Sequence, residues 1–227
     1  MRRLIVFSGA GMSAESGLKT FRDNNGLWEN YKVEDVATPA AWKSNPKMVL
    51  DFYNQRRRQL FEAQPNAAHY LIKKLESKYK VTVITQNIDD LHERAGSTNV
   101  LHLHGELRKV RSEKYEQLVY DWPKPDLNIG DLCERQTQLC PHVVWFGEEV
   151  PMMESALHVA ANADILIVIG TSLNVYPAAN IAFSVNQGCA KYLIDPNPPQ
   201  MNESSNFKVI QAGAEEGLAI LVTKLMA

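Results

Sequence analysis

The run Ile165-Leu166-Ile167-Val168-Ile169, stopped by Asp164 on one side and Gly170 on the other, constrains the fold of this chain most. A strand with one wet face alternates apolar and polar residues. An unbroken apolar run needs cover on both faces, which is the condition of a parallel sheet between layers of helix. Related short runs occur at Leu4–Phe7, Val81–Ile84, Val100–Leu103, Val143–Phe146, Tyr192–Ile194 and Lys208–Ile210. Helical patterns stand between them. One opens at Pro65-Asn66 and carries Ala68, Leu71, Ile72 and Leu75 on one face; others cover about Met152–Ala161 and Ala214–Met226. Strands alternating with helices predict an α/β chain with a doubly wound parallel sheet.

Two segments break the alternation. Residues 24–63 hold no clear strand and a long amphipathic helix from about Pro46 to Glu62, and residues 106–141 are polar. They are expected to form a smaller inserted lobe. The large lobe then takes residues 1–23, 64–105 and 142–227. At 227 residues, one catalytic-sized domain of this kind accounts for the chain.

Composition narrows the partners. A formal net charge of -2 gives no electrostatic ground for binding nucleic acid or a membrane surface, so no direct contact with either is expected. Met1-Arg2-Arg3 precedes an apolar run of four residues, too short for a secretory signal core, and no stretch approaches the length of a membrane span. A cytoplasmic location is the expectation. Three cysteines, Cys133, Cys140 and Cys189, do not suggest a disulfide framework.

The chemistry-bearing residues gather at strand ends. Gly9-Ala10-Gly11-Met12-Ser13-Ala14 follows the first strand and reads G-x-G-x-x-A. Glycine allows a tight turn and close approach of backbone to a pyrophosphate, and Ala14 is small enough for a helix to pack on the strand. A glycine turn in a phosphate-free α/β protein is the alternative. The chain next enters a polar loop, Glu15 to Asp23, with Phe21 and Arg22, rather than the usual helix and acid-tipped strand. That departure weighs against simple hydride transfer. Thr85-Gln86-Asn87-Ile88-Asp89-Asp90 follows the second strand, where Gln86, Asn87 and Asp89 are placed to read ribose hydroxyls or an amide, or one of them to cap a helix. His102 and His104 share one face of the next strand. His104, just before Gly105, suits a general base near neutral pH; a structural histidine and an H-x-H metal pair are the alternatives. Gly170-Thr171-Ser172 adds a hydroxyl-bearing turn after the most apolar strand, suited to phosphate or adenosine or simply to a strand-to-helix connection. So many such turns at strand ends argue for one long ligand.

Together these residues resemble the sirtuin family. The resemblance rests on Gly9-Ala10-Gly11-Met12-Ser13 with Ser16-Gly17 and Phe21-Arg22-Asp23; on Thr85-Gln86-Asn87-Ile88-Asp89 with Leu91-His92; and on His102-Leu103-His104-Gly105. It continues through Pro141-His142-Val143-Val144-Trp145-Phe146-Gly147-Glu148 and Gly170-Thr171-Ser172-Leu173-Asn174-Val175-Tyr176-Pro177. The motifs stand in family order across nearly the whole chain. The resemblance implies a Rossmann-like lobe and an NAD-dependent protein lysine deacylase whose partners are acylated lysine side chains, releasing nicotinamide and O-acyl-ADP-ribose. It assigns cofactor contacts to Gly9, Ala10, Gly11, Ser13, Ala14, Glu15, Phe21, Arg22, Gln86, Asn87, Asp89, Gly170, Thr171, Ser172, Asp195, Asn197 and Ala214. It makes His104 and Asn87 catalytic and lines the acyl-lysine tunnel with Val144, Trp145, Phe146 and Gly147. A mono-ADP-ribosyltransferase is the competing enzyme, and a nucleotide-sensing module without turnover is a reading from another class.

Three departures and pointers matter. Ser112 and Tyr115 stand where the family places its first cysteine pair, and Cys133 and Cys140 form no close pair, so the four-ligand set of a structural zinc is incomplete. Asp195 replaces the asparagine usual at the adenosine ribose, and a carboxylate still accepts from ribose hydroxyls. Finally, Val49, Phe52, Tyr53, Arg56 and Leu60 form one stripe of the 46–62 helix, with Arg57 and Arg58 pointing elsewhere. Arg56 there either pairs with an acid from another segment, snorkels to solvent, or, as Tyr-x-x-Arg in class III sirtuins implies, holds the carboxylate of a succinyl or malonyl group with Tyr53.

Overall fold

The apolar runs assemble into a six-stranded, all-parallel sheet in a computed structural model that describes residues 1–19, 27–28, 31–200 and 205–227, with backbone alone at 27–28. The elements in chain order are β1 (Arg3–Ser8), β2 (Leu27–Trp28), β3 (Tyr31–Lys32), α1 (Val33–Val36), α2 (Pro39–Ser44), α3 (Pro46–Glu62), α4 (Ala67–Leu75), β4 (Lys80–Thr85) and α5 (Leu91–Arg94). They continue with β5 (Val100–His102), β6 (Gly105–Ser112), β7 (Val119–Asp121), β8 (Leu139–Val143), α6 (Met153–Ala161), β9 (Ile165–Ile169), β10 (Ala190–Ile194), β11 (Phe207–Ile210) and α7 (Ala214–Met226). The sheet order is β11-β10-β9-β1-β4-β5. Leu4 lies beside Val81 on one flank and Ile165 on the other. Chain progression reverses direction at β1, so a topological switch point opens between β1 and β9 at their carboxyl ends, the crevice where ligands bind in such sheets.

The period of two sorts each strand's residues onto two faces. Leu4, Val6, Val83, Ile165 and Ile167 pack under Ile72 and Leu75 of α4 and Leu218, Leu221 and Val222 of α7. Ile5, Phe7, Leu166, Val168 and Leu193 pack under Ala156 and Ala160 of α6 and the short 3-10 segment Ala178–Phe183. Helix starts follow capping chemistry. The Asn45 side chain accepts from the Met48 N–H, with Pro46 at the first helical position of α3, and Asn66 and His69 form a reciprocal box at α4. Among the described residues no helix is long and apolar enough to cross a membrane.

Two sequence expectations change. The run Val143–Phe146 is not a strand of the large sheet. Only Val143 is extended, as the last residue of β8, which pairs antiparallel with β6 in a small β7-β6-β8 sheet. β6 itself was hidden because its sequence, GELRKVRS, buries Leu107, Val110 and Ser112 and leaves half-buried charged residues between them. A half-wet antiparallel strand carries no continuous apolar signal.

The second change concerns α3. The sequence stripe places Arg56 inward and Arg57 elsewhere, yet Arg57 is 0 % exposed. Its Nε donates to the Leu107 carbonyl at 2.9 Å, and Nη1 donates to Asn54 Oδ1 at 2.9 Å and to the Pro125 carbonyl at 3.5 Å. Asn54 in turn exchanges hydrogen bonds with the Leu127 backbone. One helix thereby binds both β6 and the 125–127 segment. Burial lowers the Arg57 pKa to about 10, which leaves it charged at neutral pH. Arg57→Met strands these carbonyls, and charge-assisted bonds contribute about 1.5–3 kcal/mol each. A stability loss of about 3 kcal/mol is expected, a Tm drop of about 10 °C by calorimetry for a domain of this size. A drop under 2 °C contradicts the pinning role.

Candidate active site

The turn after β1 meets the turn after β9 at the switch point. The Gly9 N–H donates to the Ile169 carbonyl and the Gly11 N–H to the Gly170 carbonyl. A Cβ on Gly9 would lie 2.8 Å from the Gly170 oxygen, and one on Gly11 would lie 2.7 Å from the Gly170 Cα. Gly170 itself has φ +62°, and its Cβ would fall 2.3 Å from the Met12 nitrogen. The glycines thus let two strand-end turns touch. In place of the usual helix after such a turn stand two 3-10 turns, Ala10–Met12 and Ala14–Ser16, ending at Gly17 with φ +87°. Ala14 is exposed and packs under no helix; the buried residue of the turn is Met12. Glu15 turns away from the glycines, and its Oε2 accepts the Glu215 N–H at 3.0 Å, beside Ala214 at the start of α7. Phe21 and Arg22 lie outside the described residues.

Ser13 joins this turn to the loop after β4. Its hydroxyl donates to Asp89 Oδ2 at 3.0 Å and accepts from Asn87 Nδ2 at 3.1 Å. All three side chains are buried. Asp89 Oδ1 also accepts the Leu91 N–H two residues on, a local turn that leads the chain into α5. Burial raises its pKa against the opposing hydrogen bonds from Ser13 and Leu91. Gln86 reaches across the switch point, donating from Nε2 to Thr171 Oγ1 at 3.0 Å.

The two histidines face the same loop with different chemistry. His104 Nδ1 lies 3.0 Å from the Gln86 carbonyl. A carbonyl only accepts, so Nδ1 carries the proton and the Nε2 lone pair is left available. Burial lowers the His104 pKa, which keeps the ring neutral at pH 7. His102 Nδ1 lies 2.9 Å from the Asn87 carbonyl, while its Nε2 lies 2.8 Å from Glu93 Oε1. Both of its ring nitrogens are therefore committed, unlike those of a metal ligand.

Further along the crevice, Asp195 is buried at the end of β10 and its Oδ1 accepts the Asn197 N–H at 2.8 Å; Asn197 is exposed and Ser172 half-buried. On the opposite side, Tyr53 and Trp145 are buried in one cluster with Phe52 and Val143, and Arg56 approaches the Phe52 ring at 5.9 Å. Burial pushes the Tyr53 hydroxyl pKa up, against the pull of the Arg56 and Arg111 guanidiniums and the Trp145 indole. The Val144 N–H donates to the His104 carbonyl, tying this wall to the histidine. Gly147, at φ +94°, turns the chain so that Glu148 Oε2 accepts the Trp145 N–H, and Phe146 is left 47 % exposed. Sequence reading missed Arg111. It donates to the Val143 carbonyl at 2.6 Å, pairs with Glu148 Oε1 at 3.4 Å and covers the Trp145 ring. Its one local signal is a place on a strand that composition concealed.

Where the family puts metal ligands, Ser112 Oγ accepts the Lys114 and Tyr115 N–H groups and bonds Thr137 Oγ1 at 2.7 Å, which in turn lies 3.1 Å from Cys133 Sγ. Among the described residues no group of three or more His, Cys, Asp or Glu side chains is placed to hold a metal.

A parallel sheet whose switch point carries a glycine turn, buried Asn and Asp side chains and a neutral histidine defines an α/β protein built for a dinucleotide and a reaction beside it. A model of the Sir2 family matches residues 9–177. A Helicobacter pylori (strain J99) protein described as an NAD-dependent protein deacylase is 53% identical over 226 residues, covering 100% of this chain and 96% of that one. A Sir2 homologue crystallised with NAD is 40% identical, with a TM-score of 0.87 over 99% of this chain and 89% of the other. Another, a Sir2 homologue variant in complex with ADP-ribose, is 38% identical with a TM-score of 0.89, covering 99% and 92%. The chain belongs to the Sir2 family, the sirtuins. The relatives' descriptions favour the deacylase over the ADP-ribosyltransferase.

Proposed function

We propose that the protein is an NAD-dependent protein lysine deacylase that removes succinyl and malonyl groups as well as acetyl. Family membership and identity over the whole chain support the deacylase. The observation that carries the catalytic reading is the hydrogen-bonded chain Asn87–Ser13–Asp89 beside His104, which joins the turn after β1 to the loop after β4. The donor set fits NAD: hydroxyl, amide and carboxylate groups stand at the ends of β1, β4, β9 and β10, with the buried Asp195 carboxylate suited to a ribose diol.

NAD supplies an activated glycosidic bond whose cleavage releases nicotinamide and leaves a ribose able to take the acyl group. Asn87 and Asp89 orient the ribose and carboxamide of this ligand. Gly9, Ala10, Gly11 and Ser13 hold its pyrophosphate region; Gln86, Gly170, Thr171, Ser172, Asn197 and Ala214 lie along its course. The His104 Nε2 lone pair takes a hydroxyl proton, the role of a general base. Val144, Trp145, Phe146 and Gly147 wall the acyl-lysine and exclude water. Tyr53 and Arg56 read the far end of the acyl chain, and the buried site of Tyr53 suits a neutral hydrogen-bond donor.

The test is turnover of matched acetyl-, succinyl- and malonyl-lysine peptides with and without NAD, followed by peptide mass. Loss of the acyl mass, dependent on NAD and fastest for the acidic groups, is the expected result. A gain of ADP-ribose mass, or acetyl preferred over both acidic groups, overturns it.

A further inference from the structure

The geometry points to His102 as a positioning residue: as an imidazolium held between Glu93 Oε1 and the Asn87 carbonyl, it fixes the loop that presents Asn87 and Asp89. The argument begins with donors. A neutral imidazole owns one N–H and one lone pair. His102 places Nδ1 2.9 Å from a carbonyl and Nε2 2.8 Å from a carboxylate, and neither partner donates when Glu93 is ionised. Both contacts hold together when both ring nitrogens carry protons. His104, two residues on, meets a single carbonyl and needs a single proton. His102, the last residue of β5, and His104, in the bend before β6, thus hold opposite protonation states, a cation beneath the loop and a neutral base at its edge.

The surroundings agree. Burial opposes a charge on His102, but the Glu93 carboxylate, the Asn87 carbonyl and Glu106 on β6 outweigh it and hold its pKa above the usual histidine range. Burial also works against the Glu93 charge, and the His102 ring together with Lys109 overrides it. His92 on α5 and Asp89 in the loop both feel the His102 charge, the first destabilised as a cation and the second stabilised as an anion.

The sign follows. The raised pKa means that the imidazolium persists to higher pH than that of an ordinary histidine and is lost as pH rises through the folded value. The single proton left on a neutral ring goes to the stronger acceptor, Glu93, and a lone pair then faces the Asn87 carbonyl. The loop loosens, and NAD affinity falls on the alkaline side.

This proposal rests on Asn87 and Asp89 being ligand contacts, so its test has an arm independent of turnover. Histidine ring NMR of the wild-type protein should find His102 doubly protonated at pH 6 and titrating above 6.5, with His104 titrating below it. NAD affinity by calorimetry across pH 6–9 should decline on the alkaline side in wild type. His102→Ala should bind NAD about tenfold more weakly with that decline absent, the loss expected for one hydrogen bond. His102→Asn, whose amide N–H stands about where Nδ1 did, should recover most of the affinity and also show no decline. A purely structural histidine would instead lower stability in both variants alike and leave the pH dependence unchanged. His102 singly protonated at pH 6, or His102→Ala binding NAD with the wild-type affinity and profile, overturns the assignment. If wild type binds no NAD, the function proposed above falls, while the NMR titration still decides the state of His102.

Discussion

His104→Ala is expected to lower kcat for deacylation by about 100- to 10,000-fold, the range a general base contributes, with NAD affinity within about threefold of wild type. The tautomer carries the expectation. Donation from Nδ1 to the Gln86 carbonyl leaves Nε2 as the lone pair, and burial lowers the pKa so that the lone pair is available at neutral pH. The same shift gives a pH dependence. The base is neutral above its folded pKa, so kcat should hold at pH 7 and fall only on the acid side, below the ordinary histidine value. His104→Asn separates chemistry from architecture. Its amide N–H replaces the Nδ1 donor to Gln86 and supplies no base, so it should keep the melting temperature of wild type and lose as much kcat as His104→Ala. Turnover of His104→Asn within threefold of wild type would remove the general-base role.

Much of the scaffold was readable because its signals are local. Ile165–Ile169 is β9 to the residue, and α3 and α7 run as their spacing suggests, since a covered strand or an amphipathic helix writes its pattern into adjacent positions. What escaped depends on partners far away in sequence. Arg57 is buried by carbonyls 50 and 68 residues distant, and the spacing on α3, which favours Arg56, carries no sign of them. Val143–Phe146 has the composition of a core strand, but Val143 pairs with Gly105 and the chain turns at Gly147. Gly9 and Gly11 were legible as a turn, whereas their contact with Gly170 required knowing that β1 lies beside β9. For the candidate site, the strand-end motifs named Ser13, Asn87, Asp89 and His104; the fold joins Ser13 to Asn87 and Asp89 across 74 to 76 residues and sets His104 on the Gln86 carbonyl. The Glu93 partner of His102 was not read at all, because an acid on a helix surface looks like a solvated charge until the neighbouring strand is in place.

Arg56→Met is expected to cut desuccinylation at least 100-fold while leaving deacetylation within about threefold. Tyr53 and Arg56 stand three residues apart on α3, and such pairs share a helix face. The Arg56 guanidinium lies against the Phe52 ring and exerts the largest opposing pull on the raised pKa of the Tyr53 hydroxyl. Arg111, the other cation acting on Tyr53, is committed to the Pro141 and Val143 carbonyls and to Glu148. Under the proposed function, Arg56 is the guanidinium that meets an acyl carboxylate. A planar fork meets a carboxylate through two parallel N–H bonds, which a methionine of similar length cannot make. Removing one partner of a buried charge pair costs roughly 3–5 kcal/mol, and at about 1.4 kcal/mol per decade that exceeds 100-fold. An acetyl group has no distal carboxylate and does not engage the fork, so its turnover is spared. Arg58→Met is the matched control: its ion pair with Asp126 is exposed, and surface pairs contribute little. It should leave both activities near wild type. Equal losses on succinyl and acetyl peptides in Arg56→Met would mean that Arg56 supports the packing of α3 and does not read the acyl chain.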